Sequence, residues 1–181
     1  MAGLGLRRLG AISEAGQLLA QQATRTALHA AVGDAAARRR WMTMLSDASF
    51  ATIVHPSALV SPSAQLGGGD FIGPLAVINA RATLDEGVII NTGAIVEHDC
   101  RIGAFTHVAP GAVLAGDVTV GHDALIGAGA VIHPGVKVGS GVAIGAGAVA
   151  VSDIHDGARV AGVPARPIDR VQSEEASGIR R

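Results

Sequence analysis

The sequence predicts an all-β solenoid, a parallel β-helix of hexapeptide repeats, preceded by a short α/β fragment. Three observations carry that expectation. Hydrophobic residues fill 49% of the 181 positions while aromatics fill only 2%, and glycine numbers 25, so the core has to be narrow and built from small and branched aliphatic side chains. From Thr52 to Gly147 the chain divides into sixteen hexads with no insertion, and the third place is aliphatic in every one, from Val54, Val60 and Leu66 through to Ile132, Val138 and Ile144. The first place is Ala, Val, Thr or Cys in fifteen of the sixteen, with Asp70 the exception.

A period of six is a multiple of two, so the first and third places of each hexad point to the same face of a short strand. Places four to six are rich in Gly, Pro, Asn and Asp, the residues of turns. One strand and one turn per hexad make one side of a prism, and the aliphatic column stacks on itself to fill the interior. On this reading residues 51–153 are the β-helix domain. Residues 154–181 are a C-terminal cap and tail that ends the repeat and turns back over the last coil.

Residues 1–50 have a different composition and read as a short α/β segment. The pattern predicts a helix near Ser13 to Ala23, a strand over 27–32 that stops at Gly33-Asp34, and a helix from Ala35 to about Leu45 with Asp34 as its cap. Such a segment is too short to form a nucleotide-binding domain alone. "GLGLRRLG" near the start misplaces the third glycine of a dinucleotide loop, and no strand precedes it. The start also lacks the unbroken apolar stretch and cleavage pattern of a signal peptide.

A net charge of −1 gives no electrostatic footprint for nucleic acid or a membrane surface, and no apolar run is long enough to span a bilayer. Cys100 is the single cysteine, which rules out an intrachain disulfide and fits a cytoplasmic protein. It occupies the first place of its hexad, so it is expected in the core rather than as a reactive thiol.

Three stretches, "TIVHPSALVSPSA", "INTGAIVEHDCRIGAFTHVAPGAVLAG" and "AGVPARP", together resemble the sugar O- and N-acyltransferases of the sialic-acid and bacillosamine type. The resemblance covers roughly residues 27 to 168, and "AVGDAAARRRW" is similar to the last strand and helix of that family's N-terminal domain. It implies a left-handed parallel β-helix with three sides, about 18 residues to a coil and a little over five coils. It also implies acetyl-CoA as co-substrate, a nucleotide-linked amino sugar or sialic acid as acceptor, and a homotrimer with its sites between subunits. One departure bears on the acceptor. The strand and Gly-rich turn with which the family's N-terminal domain opens, and which help hold the sugar's nucleotide, have no counterpart in the sequence before Ala27.

Acetyl transfer from a thioester to an amine requires loss of a proton from the amine, stabilisation of the carbonyl oxygen and alignment of the reactants. A neutral histidine accepts that proton near pH 7, and a neighbouring carboxylate orients the ring and favours the imidazolium. The stretch Asn91 to Cys100, "NTGAIVEHDC", holds these groups. The resemblance makes His98 the general base and Asp99 its neighbouring acid, at a place where the family often has glutamate. Glu97 is a rival carboxylate, and a Glu-His-Asp turn is also an ordinary solvated corner.

His107 lies nine residues on, half a coil of 18, so His98 and His107 fall on different sides of the prism and meet only across a boundary between chains. The resemblance places His107, Ala128, Ala146 and Arg166 against acetyl-CoA, and Asn91 near the acceptor or the acyl group. The alternatives are a turn asparagine bonded to its own backbone and a solvated terminal arginine. His122 and His133 also stand at turns. The spacings 9, 15 and 11 from His98 through His107 and His122 to His133 do not contain the close pair that zinc sites on this fold use, so no metal is expected. His55 reads as part of the first-coil cap, and His29 and His155 carry no motif. The leading expectation is therefore an acetyl-CoA-dependent amino-sugar N-acetyltransferase. Sugar O-acetylation is the alternative within the class, and a non-catalytic β-helix scaffold the alternative outside it.

Overall fold

The computed structural model describes residues 27–168. The helix expected near Ser13 to Ala23 lies outside the described residues. From Ile53 onward the chain winds as a left-handed β-helix of two-residue strands, three to a coil. Face 1 stacks seven parallel strands: Ile53–Val54, Phe71–Ile72, Ile89–Ile90, His107–Val108, Leu125–Ile126, Ala143–Ile144 and Arg159–Ala161. Face 2 stacks Leu59–Val60, Val77–Ile78, Ile95–Val96, Val113–Leu114, Val131–Ile132 and Val149–Ala150. Face 3 stacks Thr83–Leu84, Arg101–Ile102, Thr119–Val120 and Lys137–Val138, extended at its two ends by bridges Gln65 to Thr83 and Val138 to Ile154. Partners along a face are 18 residues apart, for example His107 with Leu125 and Ile95 with Val113.

The second residue of each strand points inward and the first outward. Ile72, Ile90, Val96, Ile102, Val108, Leu114, Ile126 and Ile132 are all buried, with the first-place alanines and valines between them. Cys100 is fully buried in this column, and burial pushes its thiol up to about 11, which fits an inert core residue. The polar first-place residues satisfy themselves in one recurring way. Cys100 Sγ, Thr106 Oγ1 and Thr52 Oγ1 each donate to the carbonyl fifteen residues on, in Ala115, Gly121 and Gly67. Asp70, the exception in the column, is fully buried and accepts from the backbone N–H of Gly67 and of Val88, both at 2.8 Å. Its charge satisfies the irregular corner made by "GGGD".

The repeat runs further than the sixteen hexads. After Val149–Ala150 the next corner is two residues short, so Ile154 meets Val138 and Arg159 meets Ala143 at a spacing of sixteen, which completes a sixth coil. The chain then turns back, as expected of the cap, and Arg166–Pro167 pairs antiparallel with Arg159–Ala161.

Ahead of the β-helix, strand β1 (Ala27–Leu28) pairs parallel with β2 (Ser49–Phe50), and helix α1 (Ala35–Met44) lies between them in sequence. Asp34 caps α1 as expected, accepting from the Ala37 N–H at 2.8 Å. The strand is shorter than the expected 27–32 because the chain turns at once: Ala31 N–H bonds the His29 carbonyl and Val32 N–H the Ala30 carbonyl. Helix α1 runs along the corner between faces 3 and 1. Met42 packs with Ala30 and Phe105 beside Gly69 and Gly87, and Arg39 bonds Asp123. Arg38, 1% exposed, anchors it by donating to the carbonyls of Val32, Gly33, Gly87 and Phe105. Among the described residues no helix is long and apolar enough to cross a membrane.

Candidate active site

His98 and Asp99 form the turn that joins face 2 to face 3. Asp99 sits at φ 62°, in the left-handed region that the sixth place of these corners repeatedly adopts and that Asp tolerates better than most residues. This backbone swings the Asp99 carboxylate back onto the preceding ring: Asp99 Oδ2 accepts from His98 Nδ1 at 2.8 Å. With the Nδ1 proton committed there, Nε2 carries the free lone pair of a neutral ring. Glu97 does not reach the ring. Its Oε2 accepts from Asn79 Nδ2 at 2.9 Å, one coil below. Of the two carboxylates beside His98, Asp99 is the one that orients it.

Two further residues shape this corner, and both stand 18 residues from the pair. Arg81, below Asp99, donates from Nε to Oδ1 at 2.6 Å and from Nη2 to Oδ2 at 2.8 Å. The Arg81 fork, and then the His98 bond, hold the Asp99 carboxyl well below the usual carboxylate range. Gly116, above His98, supplies the floor on which the ring lies: a Cβ there would stand 2.7 Å from His98 Cε1 and 2.8 Å from Nε2. The ring is 57% exposed, so the rest of it faces outward, open to a substrate. Neither Arg81 nor Gly116 stands out in the linear sequence. The signal that finds them is the coil length added to 81 or to 98.

The other expected site residues lie elsewhere on the chain. His107 starts a face 1 strand with its side chain outward, and its Nε2 is 3.1 Å from Asn91 Nδ2. Burial, reinforced by the nearby Arg38 charge, lowers the His107 pKa and keeps the ring neutral. Asn91 Oδ1 also accepts from its neighbour's backbone, the Thr92 N–H, at 2.7 Å. Asn91, Ala128 and Ala146 follow face 1 strands, at the corner into face 2, and Ala128 and Ala146 stack one coil apart. Arg166 lies in the last strand beside face 1. The structure thus gathers Asn91, His107, Ala128, Ala146 and Arg166 along face 1 and its edge, and keeps His98 and Asp99 at the opposite edge of face 2.

A second His–Asp pair repeats the first. His122 Nδ1 bonds Asp123 Oδ2 at 2.8 Å at the corner between faces 3 and 1, and Arg39 from helix α1 bonds the same carboxylate oxygen at 2.7 Å. Here the place one coil above the histidine is Ser140, not glycine. Asp123 is held below the usual carboxylate range; burial raises it, but the Arg39 and His122 hydrogen bonds lower it more. Among the described residues no three His, Cys, Asp or Glu side chains converge in a way that would hold a metal ion.

The family described as bacterial transferase hexapeptide (six repeats) matches residues 117–150. No curated protein matches the sequence. Among solved structures, the chain is similar to PerB from Caulobacter crescentus in complex with CoA and GDP-perosamine, at 39% identity over 93% of this chain and 81% of that one, with a TM-score of 0.88. It is similar to the acetyltransferase domain of PglB from Neisseria gonorrhoeae in complex with acetyl coenzyme A, at 38% identity over 92% of this chain and 81% of that one, with a TM-score of 0.85. A histidine-to-asparagine mutant of the Caulobacter crescentus perosamine N-acetyltransferase, also with CoA and GDP-perosamine, is 40% identical over 84% of this chain and 73% of that one, with a TM-score of 0.82.

Proposed function

Because the chain belongs to the left-handed β-helix sugar N-acetyltransferases of the hexapeptide-repeat kind, we propose that it moves an acetyl group from acetyl-CoA to the amino group of a nucleotide-linked amino sugar, with His98 as general base. The observation that carries the reading is the His98–Asp99 pair, whose Nε2 is left free at an open corner while Nδ1 is fixed. As the sugar nitrogen bonds to the thioester carbon, it carries a surplus proton, which passes to His98 Nε2. The carbon–sulfur bond breaks, and the departing CoA thiolate takes up a proton, for which the newly formed imidazolium is the nearest donor. Asp99 stays ionised throughout, because Arg81 and the ring hold it so, and it stabilises that imidazolium.

Asn91, His107, Ala128, Ala146 and Arg166 are the residues proposed to bind the substrates, the last four on acetyl-CoA and Asn91 beside the acceptor or acyl group. Small side chains at 128 and 146 leave the backbone open to a pantetheine arm. Since these lie across face 2 from His98, the reading requires a second copy of the chain, and a homotrimer supplies it. Face 2 supports that arrangement. Its outward row is Leu59, Val77, Ile95, Val113, Val131 and Val149, all aliphatic, with Leu59 68% exposed, whereas face 3 turns Thr83, Arg101, Thr119 and Lys137 outward. A reaction between acetyl-CoA and a nucleotide sugar suits a cytoplasmic enzyme.

The test is release of CoA thiol from acetyl-CoA, followed with a thiol reagent across a panel of nucleotide-linked 4-amino sugars that includes GDP-perosamine. Release with one acceptor, lost in His98→Ala, is expected. Equal release by the parent and His98→Ala would overturn the role of His98, and silence across the panel would overturn the acceptor class.

A further inference from the structure

Arg81 and Asp99 occupy the same sixth place of the same corner in successive coils. Both lie in the left-handed region, at φ 59° and 62°, so their side chains leave the corner in parallel, one coil apart. The Arg81 backbone is itself pinned from the coil below, its N–H donating to Ser63 Oγ at 3.2 Å. The guanidinium then meets the carboxylate edge to edge with both of its facing N–H groups, the two-point geometry that fixes a carboxylate in plane as well as in place. Asp99 Oδ2 accepts from Arg81 Nη2 and from His98 Nδ1, so the orientation of the ring depends on a carboxylate whose own orientation is set one coil away.

The second pair shows what a looser arrangement looks like. Arg39 also meets Asp123 at two points, from helix α1, with its Nη2 at 2.7 Å but its Nε at 3.3 Å, and the guanidinium is shared with the face of Phe105, 4.2 Å away. At Asp99 the fork is tighter and comes from the β-helix itself. An ion pair this exposed contributes little to stability, so its two-point geometry has more to do with the ring than with the fold.

We propose that Arg81 is a positioning residue for this acetyl transfer: acting through Asp99, it holds His98 with its proton on Nδ1 and its lone pair on Nε2, and its charge offsets that of Asp99 on the ring. The proposal rests on the reading of His98 as general base. It follows that Arg81→Gln frees Asp99 to turn and leaves its negative charge unopposed beside the imidazolium. The acid limb of kcat/KM then moves to higher pH, because a ring that holds its proton more tightly needs a higher pH to become a base.

The experiment compares the full chain with Arg81→Gln, Arg81→Lys and His98→Ala, using acetyl-CoA and the acceptor found in the panel. Arg81→Gln is expected to lower kcat/KM at pH 7 by about 5- to 30-fold and to move the acid limb to higher pH. Arg81→Lys keeps the charge without the fork, so it is expected to keep the limb and recover part of the rate. In the enzyme without substrates, 15N shifts of the His98 ring are expected to report the Nδ1–H form in the parent and a mixture of tautomers in Arg81→Gln. A thermal midpoint equal to the parent's excludes a folding defect as the cause. A pH profile and ring shifts in Arg81→Gln that superimpose on the parent's would overturn the proposal while leaving His98 in place, provided His98→Ala is inactive. A fully active His98→Ala overturns both.

Discussion

The sharpest prediction concerns Gly116, whose missing side chain makes room for the His98 ring. Gly116 is not among the glycines with positive φ, so its backbone accepts alanine without strain. Replacing it by alanine at such a position stabilises by about 0.4–1 kcal/mol through the unfolded chain, and fold stability is expected to hold or rise slightly. The added Cβ would sit 2.7 Å from His98 Cε1, and ordinary contact begins near 3.4 Å. The ring must therefore withdraw by about 0.7 Å, and being exposed it is free to do so. That movement strains the 2.8 Å bond to Asp99 and displaces Nε2. A displacement of this size at a reacting atom costs on the order of 10- to 100-fold in rate, or about 1.4–2.8 kcal/mol of transition-state stabilisation. The assay is kcat/KM by CoA release for the parent, Gly116→Ala, His98→Ala and the double variant, with thermal midpoints alongside. If the effect passes through the ring, Gly116→Ala costs nothing further once His98 is alanine, and the coupling energy equals the whole single-variant loss. Equal losses from Gly116→Ala in both backgrounds, or no loss at all, would refute the reasoning.

Burial raises the Asp70 carboxyl to about 6, above its ordinary value, so the folded protein binds the proton more tightly than the unfolded chain does, and stability falls as pH rises from about 4 to about 6, then levels. The difference in unfolding free energy between Asp70→Asn and the parent should shift toward the variant by up to about 3 kcal/mol across that window, and a difference constant with pH in urea titrations would sink the assignment. Arg38→Met leaves four backbone carbonyls under helix α1 without their donor and is expected to cost about 3–4 kcal/mol in the same titrations, with a loss below about 1 kcal/mol counting against the anchor. Val113→Arg, in the middle of the aliphatic row on face 2, should yield monomers in sedimentation equilibrium if the proposed trimer forms through this face, and a mass unchanged from the parent's would move the proposed interface off it.

The column of aliphatic third places made the β-helix legible, because one interior position repeating every six residues leaves no other regular structure that buries it. The cap of α1 was legible at Asp34, since capping is a local bond within four residues. What the pattern hid were breaks in periodicity. The last coil is built with a two-residue deletion, and a reading in strict sixes stops at the point where the structure continues. Likewise the residues from Ala27 to Val32 look like one strand, yet only two pair with β2, because the next carbonyls, of His29 and Ala30, accept from the nearby Ala31 and Val32 N–H groups and the chain turns away.

The candidate site was half legible for the same physical reason. His98 and Asp99 are neighbours in the chain, so their bond could be anticipated, but the sequence offered Glu97 on equal terms. The choice between the two carboxylates is made by the residues one coil away: Asn79 takes Glu97, Arg81 takes Asp99, and Gly116 receives the ring. In a solenoid the decisive neighbours of residue i are i−18 and i+18, and these vertical contacts carry no signal at short range. Once the coil length is known, the same sequence can be read as a lattice. Read that way, 79 stands under 97, 81 under 99 and 116 over 98, and the question of which acid serves the histidine is settled by the columns rather than by the turn. The same lattice separates the two His–Asp pairs. One has glycine above its ring and its arginine fork from the coil below, while the other has Ser140 above it and a looser fork from helix α1. What sets His98 apart as the candidate base is therefore less the dyad, which occurs twice, than the column around it, which occurs once among the described residues.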